Sequence, residues 1–127
     1  MATANDVIRR AMRISRVLAV GQNPSAIELS DCLTILNQML YSWGAKGVNF
    51  NLATLADSDT LAVPDDALMA IEYGLAMLIA PEFERPIDPM VAGIADEEFR
   101  RLQRDMGYVP VVDLNLPRPS SVWVDYA

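Results

Sequence analysis

Between Ser25 and Gly47 the chain carries a full set of helix instructions. Ser25 and Glu28 have the spacing of a capping box, directly after Pro24. Leu29, Leu33, Leu36, Leu40 and Trp43 then recur at steps of three and four, which draws one apolar stripe along a helix. Gly44 and Gly47 follow as left-handed stops. A helix with so continuous an apolar face must be covered by other elements, and its neighbours in sequence read the same way.

A first helix is expected from about Ala4 to Leu18, capped by Thr3 or Asn5 and ended by Gly21. Its apolar stripe is Val7, Ile8, Ala11, Ile14 and Leu18, with Met12 beside it, and Arg9, Arg13 and Arg16 fall on the opposite face. Pro64-Asp65-Asp66 opens a third helix, its acids complementing the positive end of the helix dipole. Leu68, Ile71, Leu75, Leu78 and Ile79 form its expected core face and Pro81 its end. Gly74, four residues after Ala70, makes a small-residue notch that lets a neighbouring helix come close. Asp88-Pro89 starts a fourth helix running to about Met106. Ile94, Phe99 and Leu102 point inward there, Arg100, Arg101 and Arg104 sit near the C-terminus, and Gly107 terminates it.

Two stretches break the helical period. From Val48 to Val63, Phe50, Leu52, Leu55, Leu61 and Val63 flank Asp57-Ser58-Asp59, which has turn composition. A short β-hairpin or an extended loop is expected. From Tyr108 to Ala127, Pro110, Pro117 and Pro119 exclude helix. Val112, Leu114 and Leu116 alternate with polar residues, as do Val122, Val124 and Tyr126 with Trp123 and Asp125. That is the pattern of an extended arm lying on a surface, either its own body or a partner. The expected architecture is therefore mainly α: a bundle of about four helices over 1–107, a β-like hairpin or loop, and a C-terminal arm over 108–127.

Composition narrows the chemistry. A length of 127 residues fits one domain, and 52% hydrophobic residues is high enough to favour an oligomer or obligate complex. The net charge is −7, yet the first twenty residues hold four arginines against Asp6 alone, so the remainder sums to −10. General nucleic-acid binding needs clustered cations and fits this balance poorly. Without histidine and with the single Cys32, the chain has no Cys/His zinc spacing, no intrachain disulfide and no histidine-activated nucleophile. Its densest apolar run, Leu75–Ala80, is far short of a membrane span, and Val17–Val20 is too short for a signal-peptide core. An intracellular site of synthesis and no membrane partner are expected.

Two long stretches, DVIRRAMRISRVLAVGQNPSAIELSDCLTILNQMLYSWGAKGV and VPDDALMAIEYGLAMLIAPEFERPIDPMVAGIADEEFRRL, carry a resemblance. Their ordered features are Leu18-Ala19-Val20-Gly21, Trp43, Pro64-Asp65, Leu75-Ala76 and Ala80-Pro81-Glu82-Phe83. In this order the chain resembles the head-to-tail adaptor proteins of tailed bacteriophages, specifically the podophage-type tail accessory factor or packaged-DNA stabilisation protein. Head-tail connectors of long-tailed phages share the general pattern. Where that family has glycine after Ala-Pro-Glu-Phe, this chain has Glu84. The resemblance implies a virion protein of the neck, made in the host cytoplasm. It implies a dodecameric ring beneath the portal that extends the DNA channel, helps retain the genome and docks a downstream tail or nozzle protein. It also implies a C-terminal extension reaching the portal. Val112, Leu114, Leu116, Val122, Trp123, Val124 and Tyr126 become the candidate portal-binding arm. Arg9, Arg13 and Arg16 are candidates for contacts with acidic residues of a neighbouring subunit or the portal, against the plainer reading of a solvated helix face. Packaged DNA would pass through the lumen without sequence-specific binding.

Other readings are weaker. A small terminase subunit needs a basic recognition helix, and the second helix carries no lysine or arginine. Glu82 with Glu84, or Glu28 with Asp31, supplies paired carboxylates for glycoside hydrolysis only if a cleft separates them, and helix ends explain these acids equally well. Asp57 and Asp59 lack the ligand count of a calcium loop. No cofactor, no metal and no catalysis are expected, and Cys32 reads as a small buried helix residue.

Overall fold

The computed structural model describes residues 2–19 and 21–107. Four helices follow one another: α1 (Ala4–Ile14), α2 (Ala26–Ala45), α3 (Asp65–Glu82) and α4 (Pro89–Asp105). The mainly helical expectation holds, and among the described residues there is no strand. The most extensive packing is of α3 against α4 and α1, so α3 is the central helix.

Each start is set by local chemistry. Thr3 caps α1 through a capping box closed by Asp6, and the same hydrogen bonds hold the Asp6 carboxyl below its ordinary range. Ser25 and Glu28 close the expected box on α2, and the Asp88 side chain accepts from the Met90 N–H at 2.9 Å to start α4.

The ends share one device. In α1, Val17 N donates to Met12 O at 3.0 Å and Arg16 N to Arg13 O at 3.1 Å. In α2, Val48 N reaches Trp43 O at 2.9 Å and Gly47 N reaches Gly44 O at 3.4 Å. In α3, Arg85 N reaches Ala80 O at 2.8 Å and Glu84 N reaches Pro81 O at 3.1 Å. These are Schellman motifs, which place one residue in the left-handed region. Gly47 (φ 91°) takes it after α2, but Arg16 (φ 65°) and Glu84 (φ 58°) take it after α1 and α3. Three expectations are corrected by this. The first helix stops at Ile14, not near Leu18, and Arg16 rather than Gly21 makes the turn. Gly44 stays inside α2. Pro81 sits within the last turn of α3, and Glu84 ends that helix in a left-handed turn.

The stretch from Val48 to Val63 is the extended loop of the two expected alternatives. One isolated antiparallel bridge, Thr3 to Thr60, is its only sheet-like feature among the described residues. Its carbonyls take up the free donors at the start of α1: Ala4 N donates to Asp59 O at 2.8 Å and Asn5 N to Asp57 O at 3.1 Å. Asn37 of α2 clamps its middle, donating to Leu55 O at 3.1 Å and accepting from Leu55 N at 2.8 Å. Val48, Leu55, Leu61 and Val63 are buried beneath it.

The core joins all four helices and this loop. In α2 its axis is Cys32, Leu36, Met39 and Trp43, rotated from the predicted leucine stripe, so Leu29, Leu33 and Leu40 are half-buried flanks. In α3, Ile71, Leu75 and Ile79 are buried with Ala67, Ala70, Ala76 and Ala80, while Leu78, expected in the core, is 45% exposed. Small residues on α3 let its neighbours in close. A Cβ at Gly74 would stand 3.0 Å from Cζ2 of Trp43, so the predicted notch is filled by the α2 tryptophan. Phe99 of α4 closes over the same ring, with centroids 4.9 Å apart.

Candidate functional site

The left-handed turns at Arg16 and Glu84 shape one end of the molecule. There the end of α1, the last turns of α3 and the start of α4 enclose a cleft of ≈ 400 Å³. Its floor is apolar, with Ile14, Ala76, Ala80 and Val91, and its lining includes Arg16 and Arg85. Arg16 lies 3.8 Å from the Asp88 carboxylate, and its side chain remains 82% exposed. Arg85 forms no ion pair among the described residues.

The expected trio of arginines is divided by this arrangement. Arg9 and Arg13 lie one turn apart on α1, with Arg13 exposed and Arg9 half-buried. Arg9 Nε is buried without a hydrogen-bond partner among the described residues, and so is Asn5 Oδ1 one turn earlier. Arg10, between them, turns to α3 and lies 3.9 Å from Glu72. Burial raises the Glu72 carboxyl, and the Arg10 charge opposes that shift. Arg16 is off the helix and shares the cleft with Arg85. Nothing in the sequence singles out Arg85, because its position depends on the turn at Glu84, which a glutamate does not announce.

Arg101, near the end of α4, is held by several partners at once. Its Nη2 donates to the Asp66 carbonyl at 2.7 Å and to Glu98 Oε1 at 3.0 Å, and its Nη1 donates to Asp105 Oδ2 at 3.0 Å. The Glu98 hydrogen bond, followed by the surrounding carboxylates, raises the guanidinium pKa further. The residue ties α4 to the first turn of α3.

Portal-arm candidates Val112, Leu114, Leu116, Val122, Trp123, Val124 and Tyr126 lie outside the described residues. One turn before Gly107, Gln103 Nε2 donates to Lys46 O at 3.0 Å, so α4 ends beside the corner after α2. A second groove of ≈ 430 Å³ opens near that corner, lined by Tyr41, Asn49, Phe50 and Leu52.

The carboxylates weighed for catalysis or metal binding are engaged locally or solvated. Glu28 accepts from Ser25 N at 2.8 Å, Asp59 accepts from Ala56 N at 2.8 Å, and Glu82 and Glu84 are exposed. Among the described residues no three His, Cys, Asp or Glu side chains are grouped to hold a metal ion, and no helix is long and apolar enough to cross a membrane. Cys32 is fully buried, and its thiol is pushed up to about 11, first by burial and then by Asp31, Glu28 and Glu82. No protein-family model matches the chain, and neither does any curated protein sequence.

Proposed function

We propose that the chain is a structural head-to-tail adaptor of a tailed-phage virion. It assembles with copies of itself into a ring, dodecameric by resemblance, beneath the portal. The ring continues the DNA channel, helps retain packaged DNA and docks a tail or nozzle protein below. It acts by assembly rather than catalysis, in the neck of the virion, after synthesis in the host cytoplasm.

The observation that carries this reading is a division of labour along the chain. A helical body whose own core cluster runs from Ala4 to Leu102 is followed in sequence by twenty residues of alternating apolar and polar character. The ordered motifs of the resemblance fall at structural joints of that body. Trp43 fills the Gly74 notch, Pro64-Asp65 opens the central helix, and Ala80-Pro81-Glu82-Phe83 leads into its left-handed stop.

Energetics assign the arm its manner of binding. Burying one Val, Leu or Trp side chain contributes about 1.5–3 kcal/mol, whereas fixing the backbone costs about 1–2 kcal/mol per residue. Twenty residues with seven apolar anchors therefore bind weakly as a single copy. Repeated around a ring, the same arm gains through effective concentration. The body's net acidity lets duplex DNA pass without adhering; strong, salt-sensitive binding of the ring to DNA would refute that part.

The test is co-sedimentation with the portal ring of the same phage, beside a chain ending at Gly107. Saturable binding by the full chain and its loss in the truncation is the expected result. Equal binding by both removes the arm from the account, and binding by neither removes the adaptor role.

A further inference from the structure

Two exposed surfaces on opposite sides of α3 carry opposite charge. The first is the cleft at the α1–α3–α4 end. Its floor includes Ala76 and Ala80, Arg16 and Arg85 line it, and Ile87 and the 73% exposed Met90 stand at the start of α4. The second is a shallow groove between α2 and α3 containing Ile35, Leu78 and Glu82. At 3.6 residues per turn, Ile27, Asp31 and Ile35 share one outer stripe of α2, so Ile27 and Asp31 extend this second surface. Ile27 is 76% exposed and Leu78 45% exposed, both large apolar side chains on a chain whose own core is already closed.

The charges are opposite. The cleft has Arg16 and Arg85 against Asp88 alone, and that aspartate is occupied in capping α4. The groove has Glu82 and no basic residue in its lining, and Glu28 and Asp31 stand in the first two turns of the adjoining α2. Glu82 is the last residue of α3, which packs against α2. On α3, positions 76 and 80 point about 160° away from positions 78 and 82. One copy therefore presents the arginine-lined cleft on one side and the acid-rimmed apolar face on the other. A surface that is complementary to a different surface of the same molecule makes a heterologous contact, the kind that generates rings or open helices.

We propose that the acid-rimmed apolar face of one copy, Ile27, Asp31, Leu78 and Glu82, packs over the arginine-lined cleft of the next, against Arg16, Arg85, Ile87 and Met90. This rests on the reading of the chain as one that assembles with itself, and it names the surfaces that do so. Apolar side chains supply the attraction, and the opposite charges set orientation and exclude the like-with-like pairings of two acidic faces or two clefts.

Cross-linking of the full-length chain tests it without any portal present. One variant carries Leu78→Cys and another Ile87→Cys, both at exposed positions, while the buried Cys32 is spared. A short bis-maleimide added to the mixture should give the mixed pair in several-fold excess over either like pair. A chain carrying both cysteines should give a ladder beyond the dimer. Arg85→Glu in the Ile87→Cys partner should reduce the mixed product several-fold, and Asp31→Arg in the other partner should restore it. Statistical proportions of the three products, no product, or insensitivity to the charge reversals would overturn the pairing. Portal co-sedimentation of the same variants separates the two claims. Retained portal binding with failed cross-linking refutes these surfaces and leaves the adaptor reading intact, whereas cross-linking with no portal binding does the reverse.

Discussion

Replacing Gly74 with alanine sets two opposing effects against each other at the centre of the molecule. Alanine in place of glycine inside a helix contributes about 1 kcal/mol through backbone propensity alone. At Gly74 the new methyl would meet Trp43 Cζ2 at 3.0 Å and Met39 Sδ at 3.5 Å. Carbon atoms rest about 3.5–4.0 Å apart, so the ring must retreat by roughly half an ångström. It has little room, being 6% exposed and held from the other side by Phe99. Overpacking of a filled core costs about 1–3 kcal/mol, which equals or exceeds the propensity gain. Gly93, inside α4 with nothing within 4 Å of its missing Cβ, supplies the matched reference. Gly93→Ala should raise stability by the full propensity term, and Gly74→Ala should fall below it by about 1–3 kcal/mol. At about 4–8 °C per kcal/mol for a body of this size, the two melting temperatures should differ by several degrees. Thermal and urea unfolding followed by far-ultraviolet circular dichroism measures this. Equal stabilisation by both alanines would refute the notch, because the tryptophan would then be free to move aside.

The left-handed stops give a second set of expectations. An L-residue in that conformation costs about 1–2 kcal/mol, partly offset by the greater freedom glycine loses on folding, so Glu84→Gly should raise stability by up to about 1 kcal/mol. Arg16→Gly should do nearly the same, since its exposed ion pair at 3.8 Å contributes little. Urea midpoints at or below the parent value would refute the Schellman assignment. Asn37→Ala should destabilise by about 1–3 kcal/mol, because both polar groups of the Leu55 backbone lose their partner. Unchanged stability would mean that the loop is held by other contacts. For Cys32, the folded thiol titrates near 11 and the unfolded one near 9.0, so the unfolded chain ionises first. This group's contribution is intact below about pH 9 and falls as pH rises toward about 11. Alkylation of Cys32 should accordingly follow global unfolding, and rapid modification of the native chain would refute its burial.

How much was legible in the sequence follows from the range of the forces involved. Capping boxes at Thr3 and Ser25, Pro64 followed by two aspartates, and the cap at Asp88 act over three or four residues, and so the four helix starts could be read directly. The small-residue notch was also legible as a vacancy, because a missing Cβ is a property of one residue. What filled it was not: Trp43 reaches Gly74 only when α2 lies across α3. Helix ends were less readable where Arg16 and Glu84 adopt a conformation that a glycine would have announced. Their local cost is met by the hydrogen bonds of the turn and the packing around it. The face of α2 was misaligned for a related reason. Cys32 and Met39 are buried in place of the bulkier Leu33 and Leu40 because contact with α1 and α3, not side-chain hydrophobicity alone, sets the rotation of the helix.

The candidate site divides in the same way. By itself the sequence determined that α1 is basic, that the rest is acidic and that an alternating apolar segment follows the body, since charge and period are local sums. Only the tertiary structure decided that Arg16 leaves Arg9 and Arg13 to join Arg85, 69 positions away, and that Leu78 faces outward beside Ile35 and Glu82. Those juxtapositions depend on how three helices pack around α3, and no spacing along the chain records that.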